Sequence, residues 1–190
     1  MAIPQAETET ALIEQAQTGD RNAYGELVRR HHPGVVNVVY RLCGDPELAQ
    51  DAAQEAFIQA WSHLPGFQLG TSLRNWLYRI AVNAALDVLR RSKKVDTDFE
   101  SLVLPDPQIG PEAAFLQKER AVAVQQAILS LPEASRAVLV LREYGELSYQ
   151  EIALALDLPL GTVMSRLNYA RQRLKERLAV WLAPLEIENV

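Results

Sequence analysis

The stretch from Leu147 to Leu174, LSYQEIALALDLPLGTVMSRLNYARQRL, constrains the fold most, because it encodes two short helices joined by a tight turn. Ser148 and Glu151 form a capping box, in which each side chain satisfies a backbone N–H that a helix start leaves orphaned. Ile152, Ala155 and Leu156 add an apolar stripe. A turn is expected through Asp157 and Leu158, with Pro159 at the first position of the next helix, where its fixed φ fits and its missing N–H costs nothing. On that second helix Val163, Leu167, Ala170 and Leu174 fall in a narrow arc and predict a buried face. The opposite face carries Ser165, Asn168, Tyr169 and Gln172, flanked by Arg166, Arg171 and Arg173. Hydrogen-bonding groups in the middle with guanidinium groups at the edges suit a helix lying in the DNA major groove. The same pattern also describes an amphipathic helix with a solvated basic face.

A net charge of −5 looks wrong for a nucleic-acid binder until it is divided along the chain. Residues 1–95 and 116–190 are each neutral, and the whole acidic excess lies in residues 96–115, which hold Asp96, Asp98, Glu100, Asp106 and Glu112 and no Lys or Arg. Pro105, Pro107, Gly110 and Pro111 interrupt regular structure there. An acidic linker between two helical domains is the reading, and a solvated tether accounts for its composition. No apolar run approaches the roughly 20 residues that span a bilayer, and Met1 to Thr10 lacks the basic start and apolar core of a signal peptide. Cys43 stands alone, which excludes an intrachain disulfide and points to a reducing cytoplasm. His31, His32 and Cys43 match no standard zinc spacing, so no metal or cofactor is expected.

Charge is segregated again within the first domain. Asp45 to Glu55 carries four carboxylates and no base, whereas Arg74 to Lys94 carries six basic residues against the single Asp87. On the helix expected from about Ser72 to Arg91, Leu73, Leu77, Ile80, Ala84 and Val88 make the buried stripe, and Asn75, Arg79, Asn83 and Arg90 cluster on the far side. Trp61, Phe67, Trp76 and Tyr78 lie close by. Basic residues interleaved with aromatics serve single-stranded nucleic acids, whose bases stack on rings; Trp61 and Trp76 fit a core position as well, given the area a buried indole removes from water.

The segments DAAQEAFIQAW (51–61), PGFQLGTSLRNWLYRIAVNAALDVLRR (65–91) and LPEASRAVLVLREYGELSYQEIALALDLPLGTVMSRLNYARQRL (131–174), in this order and spacing, resemble bacterial sigma factors of the extracytoplasmic function family. The resemblance implies a non-enzymatic subunit that joins core RNA polymerase through its β′ and β subunits, directs it to particular promoters and helps open the DNA. By the same resemblance, Asp51, Gln54, Glu55 and Ile58 would face the β′ coiled coil. The −10 element would be read by the loop Phe67 to Leu73 and the following helix, with Asn75, Arg79, Asn83 and Arg90, around a base lifted from the stack. The −35 element would be read by Thr162, Ser165, Arg166, Asn168 and Tyr169, with Arg171 and Arg173 on phosphates. Leu69 stands where a glycine is common in the family and Leu73 where a phenylalanine is common. Met164 and Tyr169 replace residues that are often basic, which predicts modest affinity for isolated DNA. The acidic linker would thread the polymerase near the RNA path, and an anti-sigma factor is an implied partner.

A stand-alone transcriptional regulator could use the same helix-turn-helix, but the first ninety residues show neither a dimer interface nor a sensor, and they read as helices rather than an alternating receiver domain. Enzymatic function lacks a glycine-rich phosphate loop or a nucleophile–base pair. The expected fold is all-α. One domain of four or five helices runs from about Thr8 to Ser92, with turns near Gly19, His32 to Gly34 and Gly44. A second of four helices runs from about Glu112 to Leu182, with a break at Leu131 and Pro132.

Overall fold

The computed structural model describes residues 8–92 and 111–179, with side chains over 8–89 and 117–179. Most of the acidic stretch expected to link the domains lies outside these residues. Eight α-helices account for the described regular structure, apart from one short 3-10 turn at Leu64–Gly66. The first four are α1 (Glu9–Gln17), α2 (Arg21–Cys43), α3 (Pro46–His63) and α4 (Leu73–Ser92). The second four are α5 (Pro111–Leu129), α6 (Glu133–Glu143), α7 (Tyr149–Leu156) and α8 (Leu160–Arg177).

Local chemistry sets most of the boundaries. Asp20 caps α2 by accepting from the N–H groups of Asn22 and Ala23, and Asp45 caps α3 by accepting from Glu47 and Leu48, with Pro46 at the first helical position. Gly44 ends α2 in the left-handed region at φ 77°, and a Cβ there would collide with Leu129 on α5. Two sequence expectations shift. Pro159 is the cap residue of α8, at φ −59° and ψ 142°, and the helix starts one residue later. α5 begins at Pro111, so the last residues of the expected linker are helical.

One expectation fails outright: His32 to Gly34 is not a turn. α2 continues through Pro33 for 23 residues. A proline inside a helix forfeits a hydrogen bond and crowds the preceding turn at about 3 kcal/mol. Beyond it, Val35, Val38, Val39 and Leu42 are all at most 1% exposed, and burying four such side chains, each worth roughly 1.5–3 kcal/mol, offsets that cost. Gly34 serves packing rather than a turn, since a Cβ there would lie 2.7 Å from the Tyr78 hydroxyl oxygen.

α2 is the centre of the molecule. α1, α3 and α4 pack around it, and α5 and α6 of the second unit pack on it too. The buried residues form one continuous apolar cluster from Leu12 through Leu64 and Val82 to Val138, Ile152 and Leu167. The two helical units therefore share a core. Polar ties cross the seam: Arg136 donates to the Leu42 carbonyl at 2.7 Å, and Arg41 donates to Gln125 at 2.8 Å while lying over the Tyr144 ring.

Candidate nucleic-acid interface

Helix α8 presents its faces as the periodicity predicts, except that Leu174 is only half-buried. Val163, Leu167 and Ala170 are buried, and Ser165, Asn168, Tyr169 and Gln172 are exposed, with Arg166 and Thr162 half-buried at the edge. The capping box of α7 is complete. Ser148 Oγ accepts from the Glu151 N–H and Glu151 accepts from the Ser148 N–H at 2.7 Å. Asp157 ends α7 in the left-handed region at φ 51°, a conformation that aspartate tolerates better than bulkier residues, and this sets the turn between the two helices. Leu160 and Met164 add an exposed apolar patch at the start of α8.

Two arginines on α8 are engaged within the fold. Arg171 makes a 2.7 Å ion pair with Glu143 at the end of α6, and Arg173 pairs with Glu176 at 3.2 Å with its guanidinium over the Tyr169 ring. Both are exposed, as periodicity expects, but the partner of Arg171 comes from another helix and has no local signal.

In the first unit, Asp51, Gln54, Glu55 and Ile58 form an exposed row on α3 at one-turn spacing, with Ile58 54% exposed. Beside this row an open, largely apolar groove of about 550 Å³ runs between α2 and α3, lined by Tyr24, His32, Gln54, Phe57, Ile58 and Trp61. Tyr24 donates to the Phe57 carbonyl at 2.5 Å, and burial pushes its phenol up to about 12.

The face of α4 divides. Arg79 and Asn83 are exposed, whereas Asn75 is half-buried against the second unit. The side chain of Arg90 lies outside the described residues. Phe67 is buried at 7% exposure and packs edgewise on Trp76, with ring centres 5.1 Å apart, so it supports the loop from beneath. Leu73 is buried as well, while Leu69 is exposed at the loop's tip. Trp61 and Trp76 are half-buried, each with one side on the core. Gln17 escaped sequence reasoning: its amide donates to the carbonyls of Leu64 at 3.0 Å and Phe67 at 2.8 Å, fixing the loop's entry from fifty residues away.

The residues weighed for metal binding are otherwise engaged. His31 contacts Glu9 at 2.9 Å, His32 stacks on Phe57, and burial pushes the Cys43 thiol up to about 12, which leaves it inert at neutral pH. Among the described residues no helix is long and apolar enough to cross a membrane.

Comparison with known proteins accounts for both units. Sigma-70 region 2 matches residues 27–95, and Sigma-70 region 4 matches residues 121–174. The chain is 38% identical to the RNA polymerase sigma-H factor of Pseudomonas aeruginosa, over 90% of this chain and 94% of that protein. It is 34% identical to the ECF RNA polymerase sigma factor SigW of Bacillus subtilis, over 87% and 94%. Among solved structures, CnrH in complex with the cytosolic domain of CnrY is similar at 27% identity, with a TM-score of 0.67 over 92% of this chain and 99% of that one.

Proposed function

The chain belongs to the ECF sigma factors of the sigma-70 family, and from that premise we propose how its surfaces divide the work of promoter-specific transcription initiation. It is an initiation factor and not an enzyme. The observation that carries the division is that one chain exposes three chemically different faces: the acidic row on α3, the basic and amide face of α4, and the polar face of α8.

The first unit, residues 1–95, docks and opens. Asp51, Gln54, Glu55 and Ile58 meet the β′ subunit of core RNA polymerase, where carboxylates around one exposed isoleucine complement a basic partner with an apolar centre. Asn75, Arg79, Asn83 and Arg90, beside the loop that Phe67 supports, read the −10 element as single strand. Amides reach base edges and guanidinium groups reach phosphates there. Lifting a base from the stack costs a few kcal/mol, which these contacts must offset.

The second unit, residues 116–190, reads the −35 element as duplex. Thr162, Ser165, Arg166, Asn168 and Tyr169 lie along the groove-facing side of α8, with Arg171 and Arg173 on phosphates at its edges. The acidic residues 96–115 join the units along the RNA path. A protein that covers these faces, an anti-sigma factor, is the proposed regulator; CnrH, similar in fold, was solved with a protein partner. Action on RNA polymerase places the chain in the cytoplasm.

Run-off transcription with purified core RNA polymerase on sheared genomic DNA, followed by mapping of the 5′ ends, tests this reading. New starts that share motifs at −10 and −35, and that are lost in N83A and in R166A, are expected. A chain that binds duplex DNA but neither joins core polymerase nor creates any start would overturn it in favour of a free regulator.

A further inference from the structure

Helix α8 begins with two large apolar side chains in water. Leu160, its first residue, is 43% exposed, and Met164, one turn on, is 52% exposed. Single exposed apolar residues are ordinary on a protein surface, but two at i and i+4 are neighbours and make a strip. Another turn along the same side, the strip runs into exposed Asn168. Val163, Leu167 and Ala170 close the core from a separate face of the helix.

Gly161 adds a second feature that the fold does not explain. It takes helical backbone, and a Cβ there would meet no atom within 4 Å. Neither a left-handed φ nor packing within the chain calls for glycine, which weakens a helix. The missing Cβ bares the side of α8 beside Met164 and Ser165, where a body outside the chain can come close. Ser165 donates its hydroxyl proton to the Thr162 carbonyl at 3.1 Å, so it turns only lone pairs outward.

Resting on the −35 reading proposed above, we infer that Leu160 and Met164 determine specificity by reading the C5 methyl group of thymine in the major groove. A recognition helix meets base edges with its N-terminal residues, and these are two of the first five residues of α8. Every base pair presents hydrogen-bonding atoms in that groove, but a methyl group stands there only where the pair contains thymine. Apolar tips gain nothing from phosphates or from amino and carbonyl edges, and the unbranched thioether of methionine adapts to an irregular contour. The adenine paired with that thymine offers an N6 amino donor beside the methyl, which suits the lone pairs of Ser165.

Deoxyuridine tests this, because it removes the thymine methyl and keeps every hydrogen-bonding atom. Each thymine of the mapped −35 duplex is replaced in turn, and binding of the full-length chain is measured. Affinity is expected to fall about fourfold at one or two positions, the fold-change of exposing one buried methyl group. The fall should be the same at about 50 mM and about 200 mM salt, since no phosphate contact is lost. In L160A/M164A the fall should vanish while the thermal midpoint stays near that of wild type, because alanine suits an exposed helical site. A −35 motif without thymine, a wild-type chain indifferent to deoxyuridine at every position, or a fall that persists in L160A/M164A overturns the methyl reading and leaves the sigma reading intact. So does an L160A/M164A chain that binds the duplex as wild type does but yields fewer transcripts with core polymerase, which would make the strip a protein contact. A chain that yields no transcription starts fails the sigma reading, and the methyl reading with it.

Discussion

Glu151 serves two neighbours at once: one carboxylate oxygen accepts from the Asn75 amide across the seam between the two helical units, and the other accepts from the Ser148 N–H at the start of its own helix. A residue that caps the first helix of the helix-turn-helix thus also holds an amide proposed to read the −10 strand. Folding of α7 and closure of the units share a single side chain.

That sharing predicts coupling. Alanine at Glu151 should cost about 1 kcal/mol through the lost cap alone. In a double-mutant cycle with Asn75→Ala, read by urea unfolding, the pair should show a coupling of about 1 kcal/mol. Costs that simply add, within about 0.3 kcal/mol, would show that the two residues are neighbours without energetic consequence.

The same carboxylate predicts a pH dependence. Hydrogen bonds from Ser148, first its side chain and then its backbone N–H, hold Glu151 below the ordinary carboxylate range, with further help from Asn75 and Arg74. A depressed folded value means that the charge contributes stability above the unfolded value of about 4.3, and that this stability is lost as pH falls through the folded value. The gap in thermal midpoint between wild type and E151Q should therefore narrow on acidification below that range. A gap that stays constant would mean the carboxylate's charge is not what matters.

Gly34 and Tyr78 predict a rescue. Alanine normally stabilises a helix interior relative to glycine by about 0.5–1 kcal/mol. Here its Cβ would meet the Tyr78 hydroxyl at 2.7 Å, so Gly34→Ala should instead destabilise, by about 1–3 kcal/mol as overpacking does. Removing that oxygen in Tyr78→Phe should recover most of the loss in the double variant. If G34A costs the same in both backgrounds, the clash is not its cause.

Glu143 predicts a gain in DNA contact. It engages Arg171 in the free chain, so Glu143→Ala should release that guanidinium to a phosphate. Exposed pairs of this kind contribute about 0–1 kcal/mol, so the fold should tolerate the change. The plot of log affinity for the −35 duplex against log salt should steepen by about 0.9, one added phosphate contact. An unchanged slope would mean that Arg171 already reaches the phosphate in the complex.

Short-range chemistry was legible in the chain itself. The Ser148 and Glu151 cap, the buried stripe of α8 and the acidic excess of residues 96–115 all follow from periodicity, capping and charge, whereas the row on α3 was named through the family resemblance. Pro33–Gly34 was misleading because proline and glycine carry a strong local turn signal. The burial of Val35, Val38, Val39 and Leu42 outweighs that signal, and two of the helices that pack on α2, α4 and α6, are distant in sequence.

The candidate surfaces divide along the same line. Which side of α3, α4 and α8 faces outward is set by each helix's own 3.6-residue period, so the sequence determined it. Four placements had no such source: Phe67 beneath its loop, Gln17 holding that loop's carbonyls, Arg171 drawn to Glu143, and Asn75 covered by α7. Each depends on a partner between 9 and 76 residues away. A sequence states which groups want partners. Only the packing of helices around α2 decides which partners are near enough to supply them.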